Sequence, residues 1–584
     1  MQPVDFTTLI ASTCDLRTLW LPARTEQVYQ RNRFTIAIAL RTLDKRGWLE
    51  ICWHPQAAHI CIGSPPPRSP DTFTFSQQLI HQLNGLALIA IEEVAPWERV
   101  VDLQFARRPG ESALWHLYVE IMGKYSNVIL TDANKAIVTA AHQVSQQQSS
   151  IRPIQTGQTY ELPPSLSGAV PSLSEARSRW QERVSLVPGA VGRCLLKSYR
   201  GLSPALVQLM VRVSSLDPEQ STASLESEDW QRLFSTWQQW LQNLEKLQFF
   251  PGWTDKGYTV MGWEVIQVAD VQELLAFYYT KELDQQEFTQ LRNQLAQKLS
   301  NILEKLRLKA RTFTERLQQS DGADVYRQHA DLLMAHLQAW QPGMKEIVLL
   351  DFDTSKPVAI RLEPEKNAVQ NAQKLYKQAG KLKRARGAVE PLLRDVQAEI
   401  DYLEQVEDGI FQIDKYQSTA DLEALYEIRE ELIGQKILED TQYIRPPSSA
   451  DSTPNFHRFR APSGFEVLIG RNNRQNDRLT FRLANEYDLW FHAQEIPGAH
   501  VLLRLEPGAV ADGRDLQFTA DLAAYYSRSR QSTSVPVVYT QPKHVYKPKG
   551  AKPGIAIYKQ ERILWGKPRQ GEEYLTGEIS CNPI

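Results

Sequence analysis

From Asp5 to about Gln143, short apolar runs alternate with turn-forming residues: FTIAIALRTL, GWLEICWHP, HICIGSPPP, LALIAIEEV, RVVDLQF, ALWHLYVEIM and NVILTDANKAIVTAA. Runs of this length and spacing predict strands with a few helices. The last run predicts a hairpin that turns through Asp132, Ala133, Asn134 and Lys135. SQQQSS at 145–150 and then GQTYELPPSLSG stop either element, which puts a boundary near residue 170. Between about 175 and 260 the spacing becomes helical, with Trp180, Leu195, Leu206, Val211, Trp230, Leu233, Trp237, Trp240 and Leu244 on the apolar positions. GLSPAL at 201–206 interrupts it. A glycine turn there either offers backbone N–H groups to a phosphate or is a plain connection between two helices.

The sharpest period follows. Phe288, Leu291, Leu295, Leu299, Ile302, Leu306, Ala310, Phe313 and Leu317 step by three or four and predict one long amphipathic helix. Extended back to Leu274 it measures roughly 65 Å at 1.5 Å per residue. Ala368, Ala372, Leu375, Ala379, Leu382, Val389, Leu392, Val396, Ile400 and Leu403 form a second stripe of the same period. A shorter helix at 322–340 and the strand pair EIVLLDFD and VAIRLEP lie between them. An antiparallel helical hairpin with a small tip is the expected arrangement, and it suits a lever or spacer. DLEALYEIREELIGQ adds a helix, and TQYIRPPSSADSTP reads as a linker. After it FEVLIG, LTFRLA, HVLLRLE, VPVVYT and GIAIYK read as strands and FTADLAAYYSRSR as a helix, an α+β module. The expected domains are 1–170, a helical region 171–265, the hairpin with its small middle part 266–440, a linker 441–454 and the module with its tail 455–584.

Composition narrows this to a multidomain α+β chain. At 584 residues, 42% hydrophobic and 23% charged, collagen-like and wholly disordered classes fall away. No run reaches the roughly 18 apolar residues of a membrane span. MQPVDFTTLIASTCDLR has no basic flank ahead of an apolar stretch, so no secretory signal and a cytoplasmic location are expected. Cys14, Cys52, Cys61, Cys194 and Cys581 form no CxxC pair, which argues against a disulfide framework or a cysteine zinc site. Net charge is −2, yet Arg445 to Arg562 holds 17 Lys and Arg against 11 Asp and Glu, a local +6 that leaves −8 elsewhere. Lys543, Lys547, Lys549 and Lys552, with Tyr539 and Tyr546 close by, form either a phosphate-binding strip or a solvated loop.

Longer strings carry a resemblance. GRNNRQNDRLTFRLANEYDLWFHAQEIPGAHVLLR at 470–504, AAYYSRSR and VVYTQPKHVYKPKGAKPGIAIY resemble the C-terminal module of the NFACT family, which includes proteins named fibronectin-binding protein A. YVEIMGKYSNVILTD at 118–132 and GQTYELPP resemble its N-terminal domain, and NAQKLYKQAGKLKRA with YEIREELIGQ its coiled-coil return helix and exit. The resemblance implies an N-terminal domain similar in fold to formamidopyrimidine-DNA glycosylases, a helix-hairpin-helix region, a coiled coil and an RNA-binding C-terminal domain. It implies a factor that binds large (50S) ribosomal subunits obstructed by peptidyl-tRNA, through 23S rRNA and stalk-base proteins, and recruits alanyl-tRNA. The stalled chain then gains a C-terminal alanine tail that marks it for proteolysis. Peptide bonds are made in the ribosomal peptidyl transferase centre, so the protein is not an enzyme, takes no cofactor or metal, and engages neither membrane nor DNA.

By the same resemblance Glu98-Arg99 stands where the family has an Asp-Arg pair that engages tRNA, and Glu120, Ile121 and Met122 match a second tRNA-facing motif. Arg99 suits a phosphate or a guanine edge; without the family, the pair reads as a surface ion pair and Ile121 and Met122 as core. Arg471, Asn472 and Asn473 offer planar donors to phosphates and bases, or build a turn. Trp490 and His492 shape the fold or stack on RNA, and Gly498 supplies a close-approach turn. Asp488, His492 and His500 invite a catalytic reading, but no nucleophile pairs with them and the two imidazoles lack a third metal ligand. Two other functions are open to test. A surface adhesin fits the fibronectin-binding name but lacks an export signal, and a repair lyase lacks its Pro-Glu start.

Overall fold

The computed structural model describes residues 1–66, 71–149, 151–164, 168–263, 265–439 and 455–576. The expected linker 441–454 and the end of the tail lie outside the described residues. Two compact units divide the chain after Asp284.

In the first unit, helix α1 (Phe6–Trp20) begins where Asp5 caps it, its Oδ1 accepting from Thr8 N at 2.8 Å. Strands β1 (Ala23–Asn32), β2 (Thr35–Arg41), β3 (Arg46–Cys52) and β4 (His59–Gly63) precede helix α2 (Thr74–Leu83). Strands β5 (Ala87–Glu93), β6 (Val100–Ala106), β7 (Trp115–Glu120), β8 (Asn127–Asp132) and β9 (Ile137–Ala140) complete one sheet, ordered β4-β3-β2-β1-β5-β6-β7-β8-β9 and antiparallel in every pairing. The predicted hairpin through Asp132 and Lys135 joins β8 to β9. Alternating side chains such as Ile36, Ile38 and Leu40 pack with Leu9, Leu16 and Trp20 of α1 in the core. Helices α3 (Arg177–Ser185), α4 (Val191–Ser198), α5 (Pro204–Val213) and α6 (Ser227–Glu245) enclose a second core around Trp180, Trp237 and Trp240. That helical part is tied to α1 by buried hydrogen bonds, Trp240 Nε1 to Thr7 Oγ1 at 2.9 Å and Ser203 Oγ to Oδ2 of the capping Asp5 at 2.6 Å. Strands β10 (Gly252–Thr254), β11 (Gly257–Thr259) and β12 (Ile266–Gln267) close the unit.

Helix α7 (Val271–Ser320) starts in the first unit and continues into the second, and its 50 residues span about 75 Å. Helix α8 (Ala323–Ala335) with strands β13 (Glu346–Leu350) and β14 (Pro357–Arg361) forms the tip, and helix α9 (Ala368–Gln412) returns. The pair is antiparallel, since Arg292 Nε donates to Ile413 O at 3.0 Å, Arg307 meets Glu404 at 2.6 Å and Asp321 meets Arg386 at 3.4 Å. Phe288, Leu291, Leu295, Leu299 and Leu303 pack on Val396, Ile400, Leu403, Val406 and Ile410. Farther out the seam thins, and Leu392 is exposed. Helix α10 (Thr419–Gly434) covers the base of the hairpin with Leu422, Leu425, Ile428 and Leu432.

The C-terminal module is a sheet ordered β15-β16-β18-β17-β19-β22, with a separate hairpin of β20 and β21. Its elements run β15 (His457–Arg460), β16 (Glu466–Ile469), α11 (Asn473–Arg478), β17 (Leu489–Ala493), β18 (Val501–Leu503), α12 (Gly513–Tyr525), β19 (Val535–Thr540), β20 (Val545–Tyr546), β21 (Ile557–Tyr558), β22 (Arg562–Gly566) and α13 (Pro568–Thr576). One face packs on α12 through Phe491, Val501, Val537 and Phe518. The other buries Trp490, Leu468, Leu502 and Val538 under Leu479 and Val545. One expected strand is corrected: LTFRLA forms a wide helical turn over Leu479–Leu483. Its apolar residues resemble a strand because Leu479 must reach the core, but Asn472 caps α11 just before it and commits the chain to helical turns.

Candidate RNA interface

The sheet register brings the two N-terminal motifs together. Val100 pairs with Glu120 across β6 and β7, and Ile121 N donates to Arg99 O at 2.9 Å, so Glu98-Arg99 and Glu120-Met122 share one end of two adjacent strands. The turn before them is held by Trp97, which has φ 61° and stacks on Phe6 with ring centroids 4.6 Å apart. Gly201, at φ 83°, presses on that indole; a Cβ there would sit 2.6 Å from Trp97 Cε3. At the GLSPAL turn the backbone thus approaches the indole more closely than a residue with a Cβ allows.

Most of the motif side chains turn inward. Glu98 is buried, with Oε1 accepting from Arg200 Nη1 at 3.1 Å and Oε2 without a partner. Arg99 Nη1 donates to Val4 O at 3.0 Å, and burial pulls its pKa down against the opposing pull of Asp5 and Glu98. Glu120 has a fully buried side chain. Its Oε2 accepts from Arg152 Nη1 at 3.0 Å and its Oε1 from Tyr160 Oη at 2.9 Å. Burial and the Glu120 carboxylate together push the Tyr160 phenol far above its usual pKa. Direct readout of a base by Glu120 or by Ile121 is thus corrected: the first is consumed by Arg152 and Tyr160, and the second is 2% exposed in the sheet core. Met122 stays half-buried at the rim, where its N–H donates to Ser126 Oγ at 2.9 Å. The outward chemistry comes next in the chain. Tyr125 is 71% exposed, with Lys124 Nζ 4.9 Å from its ring centroid. A neighbouring cation and aromatic were the only sequence signal for that pair.

In the second unit the Arg471 string grips helix α10. Arg471 Nη1 donates to Asp421 and its Nε to Asn455 O at 2.7 Å. Asn472 Nδ2 donates to Glu427 Oε2 at 2.6 Å while its Oδ1 caps α11, accepting from Gln475 N at 2.9 Å. Asn473 Nδ2 reaches Glu431 Oε1 at 3.2 Å, Arg474 Nη1 reaches Glu430 Oε2 at 2.9 Å, and Gln475 Nε2 reaches Glu427 Oε2 at 2.9 Å. The expectation that Arg471, Asn472 and Asn473 face phosphates and bases is corrected: all three are buried or nearly so, and their donors are spent on acids of α10. Only sequence-distant partners reveal this, which is why the string alone did not.

Trp490 is likewise corrected as an RNA-stacking residue. It is 1% exposed, and its Nε1 donates to Thr480 Oγ1 at 3.0 Å. His492 stacks on it with centroids 5.7 Å apart and remains half-buried. Burial lowers the His492 pKa to about 4, and lowers that of His500, beside it and Lys547, well below the usual range. Gly498 bridges to Ser527 of the same module. Among the described residues no group of three or more His, Cys, Asp and Glu is arranged to hold a metal ion.

The lysine run divides. Lys547 pairs with Asp477, and Lys552 Nζ sits 4.3 Å from the Tyr402 ring centroid on α9. Gly554, at φ 80°, donates its N–H to Asp477 Oδ1 at 3.1 Å and lies against Asn473, where a Cβ would approach Oδ1 to 2.4 Å. These interactions seat the loop on the string that grips α10. Lys543 and Lys549 have no ion pair among the described residues, and both are exposed, as are Lys559 and Arg562 beside them.

The geometry defines a multidomain α+β protein built on a long helical hairpin, whose C-terminal module gathers solvent-facing cations around one loop and sheet edge. Residues 5–451 match the NFACT N-terminal and middle domains, and residues 455–559 match the NFACT protein RNA binding domain. The chain belongs to the NFACT family. It is similar to the Rqc2 homolog RqcH of Bacillus subtilis (strain 168), 28% identical over 571 residues, covering 95% of this chain and 96% of that one. It is also similar to the Rqc2 homolog RqcH of Streptococcus pneumoniae serotype 2, 28% identical over 559 residues, covering 94% and 95%. The C-terminal structure of the fibronectin/fibrinogen-binding protein from Streptococcus suis is 30% identical over 48% of this chain and 95% of that chain, with a TM-score of 0.36. No described helix is long and apolar enough to cross a membrane.

Proposed function

We propose that this chain acts in ribosome-associated quality control. In this reading it binds a large (50S) ribosomal subunit obstructed by peptidyl-tRNA and recruits alanyl-tRNA. The stalled chain then receives a template-independent alanine tail, and the ribosomal peptidyl transferase centre makes the bonds. The observation that carries the reading is collinearity: both NFACT matches occur in order, and the relatives named Rqc2 homolog RqcH align over nearly their whole length. The finer labels, a glycosylase-like N-terminal fold, a helix-hairpin-helix in α3–α6 and a coiled coil of α7 with α9, belong to the same reading.

The local chemistry supports a division of labour. At the shared end of β6 and β7, Arg99, Met122, Lys124 and Tyr125 offer charge and stacking surface to tRNA, while Glu98 and Glu120 position the turn rather than touch it. Lys543 and Lys549 supply salt-sensitive contacts to rRNA phosphates. The test is to recover the tagged protein from cells and sequence its bound RNA, beside Glu98→Ala/Arg99→Ala and the exposed pair Lys124→Ala/Tyr125→Ala. The expected result is 23S rRNA with one tRNA, and loss of that tRNA alone in both variants. Ribosomal RNA with no tRNA in the unaltered protein rejects recruitment, and neither RNA rejects the whole reading.

A further inference from the structure

The sheet face that buries Trp490 does not end at its covered centre. Val537 pairs with Leu564, and both pack toward α12, so their neighbours Val538 and Ile563, and Pro536 and Trp565, point to the opposite face. Val538 also pairs with His492 on β17. His492, Val538 and Ile563 therefore form a row across three strands, with Pro536 and Trp565 in the next row. Val538 is fully buried under Leu479 and Val545, so the open part is Pro536, Ile563 and Trp565 on two strands about 4.8 Å apart with a two-residue rise of about 6.8 Å, roughly 5 by 7 Å, the footprint of one nucleobase. The β20–β21 hairpin, Leu479 and the turn after it cover the Trp490 end through Val545 and Tyr558. The β22 end is open: Ile563 is 50% and Trp565 62% exposed, and among the described residues β22 pairs only with β19.

Charge says what covers it. Residues 535–569 carry eight Lys and Arg and a single acid, Glu561. Lys559 and Arg562 enter β22, and Lys567 and Arg569 leave it, all exposed. Arg562 shares the α12 face with Leu564, whereas Lys559 Nζ lies 5.9 Å from the Tyr546 ring centroid on the β20–β21 hairpin, and the exposed Glu495 lies near Tyr558. An exposed tryptophan and a flat apolar strip framed by cations suit bases stacked on the strip and phosphates along its rim. A protein strand added to the β22 edge would meet the same excess of positive charge and leave Trp565 unused.

We propose that the open end of this sheet face, centred on Trp565 and Ile563 of β22, is a stacking platform for unpaired RNA bases, with Lys559 holding a flanking phosphate. It rests on the RNA-binding reading above and deepens it, since β22 lies beyond the residues that match the RNA-binding domain. A tryptophan at an edge, with its backbone O accepting from Gln517 Nε2 at 2.8 Å, can be truncated without opening the core.

The test measures binding of the full chain to a fluorescein-labelled single-stranded RNA of about 12 nucleotides and to a duplex of the same sequence, and in parallel to purified 50S subunits. Trp565→Ala is expected to weaken single-strand binding by about tenfold or more, and Trp565→Phe to recover most of it, with duplex binding little changed. Ultraviolet crosslinking of the unaltered protein is expected to attach the oligonucleotide at Trp565 or its β22 neighbours. If 50S binding is intact but Trp565→Ala leaves single-strand affinity and the crosslink unaltered, the platform is overturned and the ribosomal reading stands. If the unaltered chain binds neither RNA nor 50S, both fall together. Equal losses on single strand and duplex also overturn it, because phosphate contact alone would explain them.

Discussion

Glu120 in the first unit and Arg471 in the second both belong to strings expected to face RNA, and both turn inward, but in opposite senses. Glu120 is an acceptor held by Arg152 and Tyr160, which follow it in the chain by a few tens of residues. Arg471 leads a row of donors held by Asp421, Glu427, Glu430 and Glu431 of a helix that precedes it. The first cluster fixes a strand end within one sheet; the second fastens a module to the base of the helical hairpin. Other groups are left for solvent: Lys124 and Tyr125, directly after the first motif, and Lys543, Lys549 and, at the far end of the sheet from the second, the β22 edge. A recognisable string can thus mark a scaffold, while solvent-facing groups lie elsewhere in the same unit.

The contrast is broken first at its most buried point. Glu120→Ala strands the Arg152 guanidinium and should destabilise the first unit by about 3–5 kcal/mol in urea titrations. A loss below about 1 kcal/mol would mean that the cluster is not structural. Arg471→Ala should cost somewhat less, about 2–3 kcal/mol, because Asp421 keeps its hydrogen bonds from Gln417 N and Ser418 N at 2.9 Å each. A double-mutant cycle with Asp421→Ala should show coupling, and purely additive losses would separate the two residues.

Acid sharpens the difference further. His500 is buried with its pKa held well below the usual 6.5, so its neutral form is the folded one. The unfolded chain takes up a proton as pH falls through 6.5 while the folded one does not. Stability is therefore full above pH 6.5 and declines below it, by up to about 1.4 kcal/mol per pH unit from this residue. Urea titrations at pH 7 and pH 5 should show the decline, and His500→Gln should lessen it, with His492 supplying part of the remainder. The smallest effect on stability belongs to the exposed cations. Lys543→Ala/Lys549→Ala should leave it within about 0.5 kcal/mol. The same change should lower the slope of log affinity against log salt by roughly 0.7–0.9 for each phosphate that is no longer neutralised.

Periodic features were legible in the chain. The steps from Phe288 to Leu317 predicted α7, and the Asp132–Lys135 turn predicted the β8–β9 hairpin, because local spacing dictates which face is buried. LTFRLA misled because strand and buried-helix patterns coincide over so few residues. The planar donors of Arg471, Asn472 and Asn473 were visible, but their partners on α10 lie more than 40 residues earlier, where no local pattern announces them. Trp565 gave no signal at all, since exposure of one tryptophan depends on which strand ends the sheet.

In the proposed function this chain engages the large ribosomal subunit through solvent-facing charge. The direct measurement is sedimentation of the full chain with purified 50S subunits over a series of salt concentrations, for the unaltered protein and Lys543→Ala/Lys549→Ala. The expected result is cosedimentation that weakens steadily with salt, and a shallower dependence in the variant. Absence of cosedimentation at every salt concentration, or a salt dependence identical in the two proteins, would contradict it.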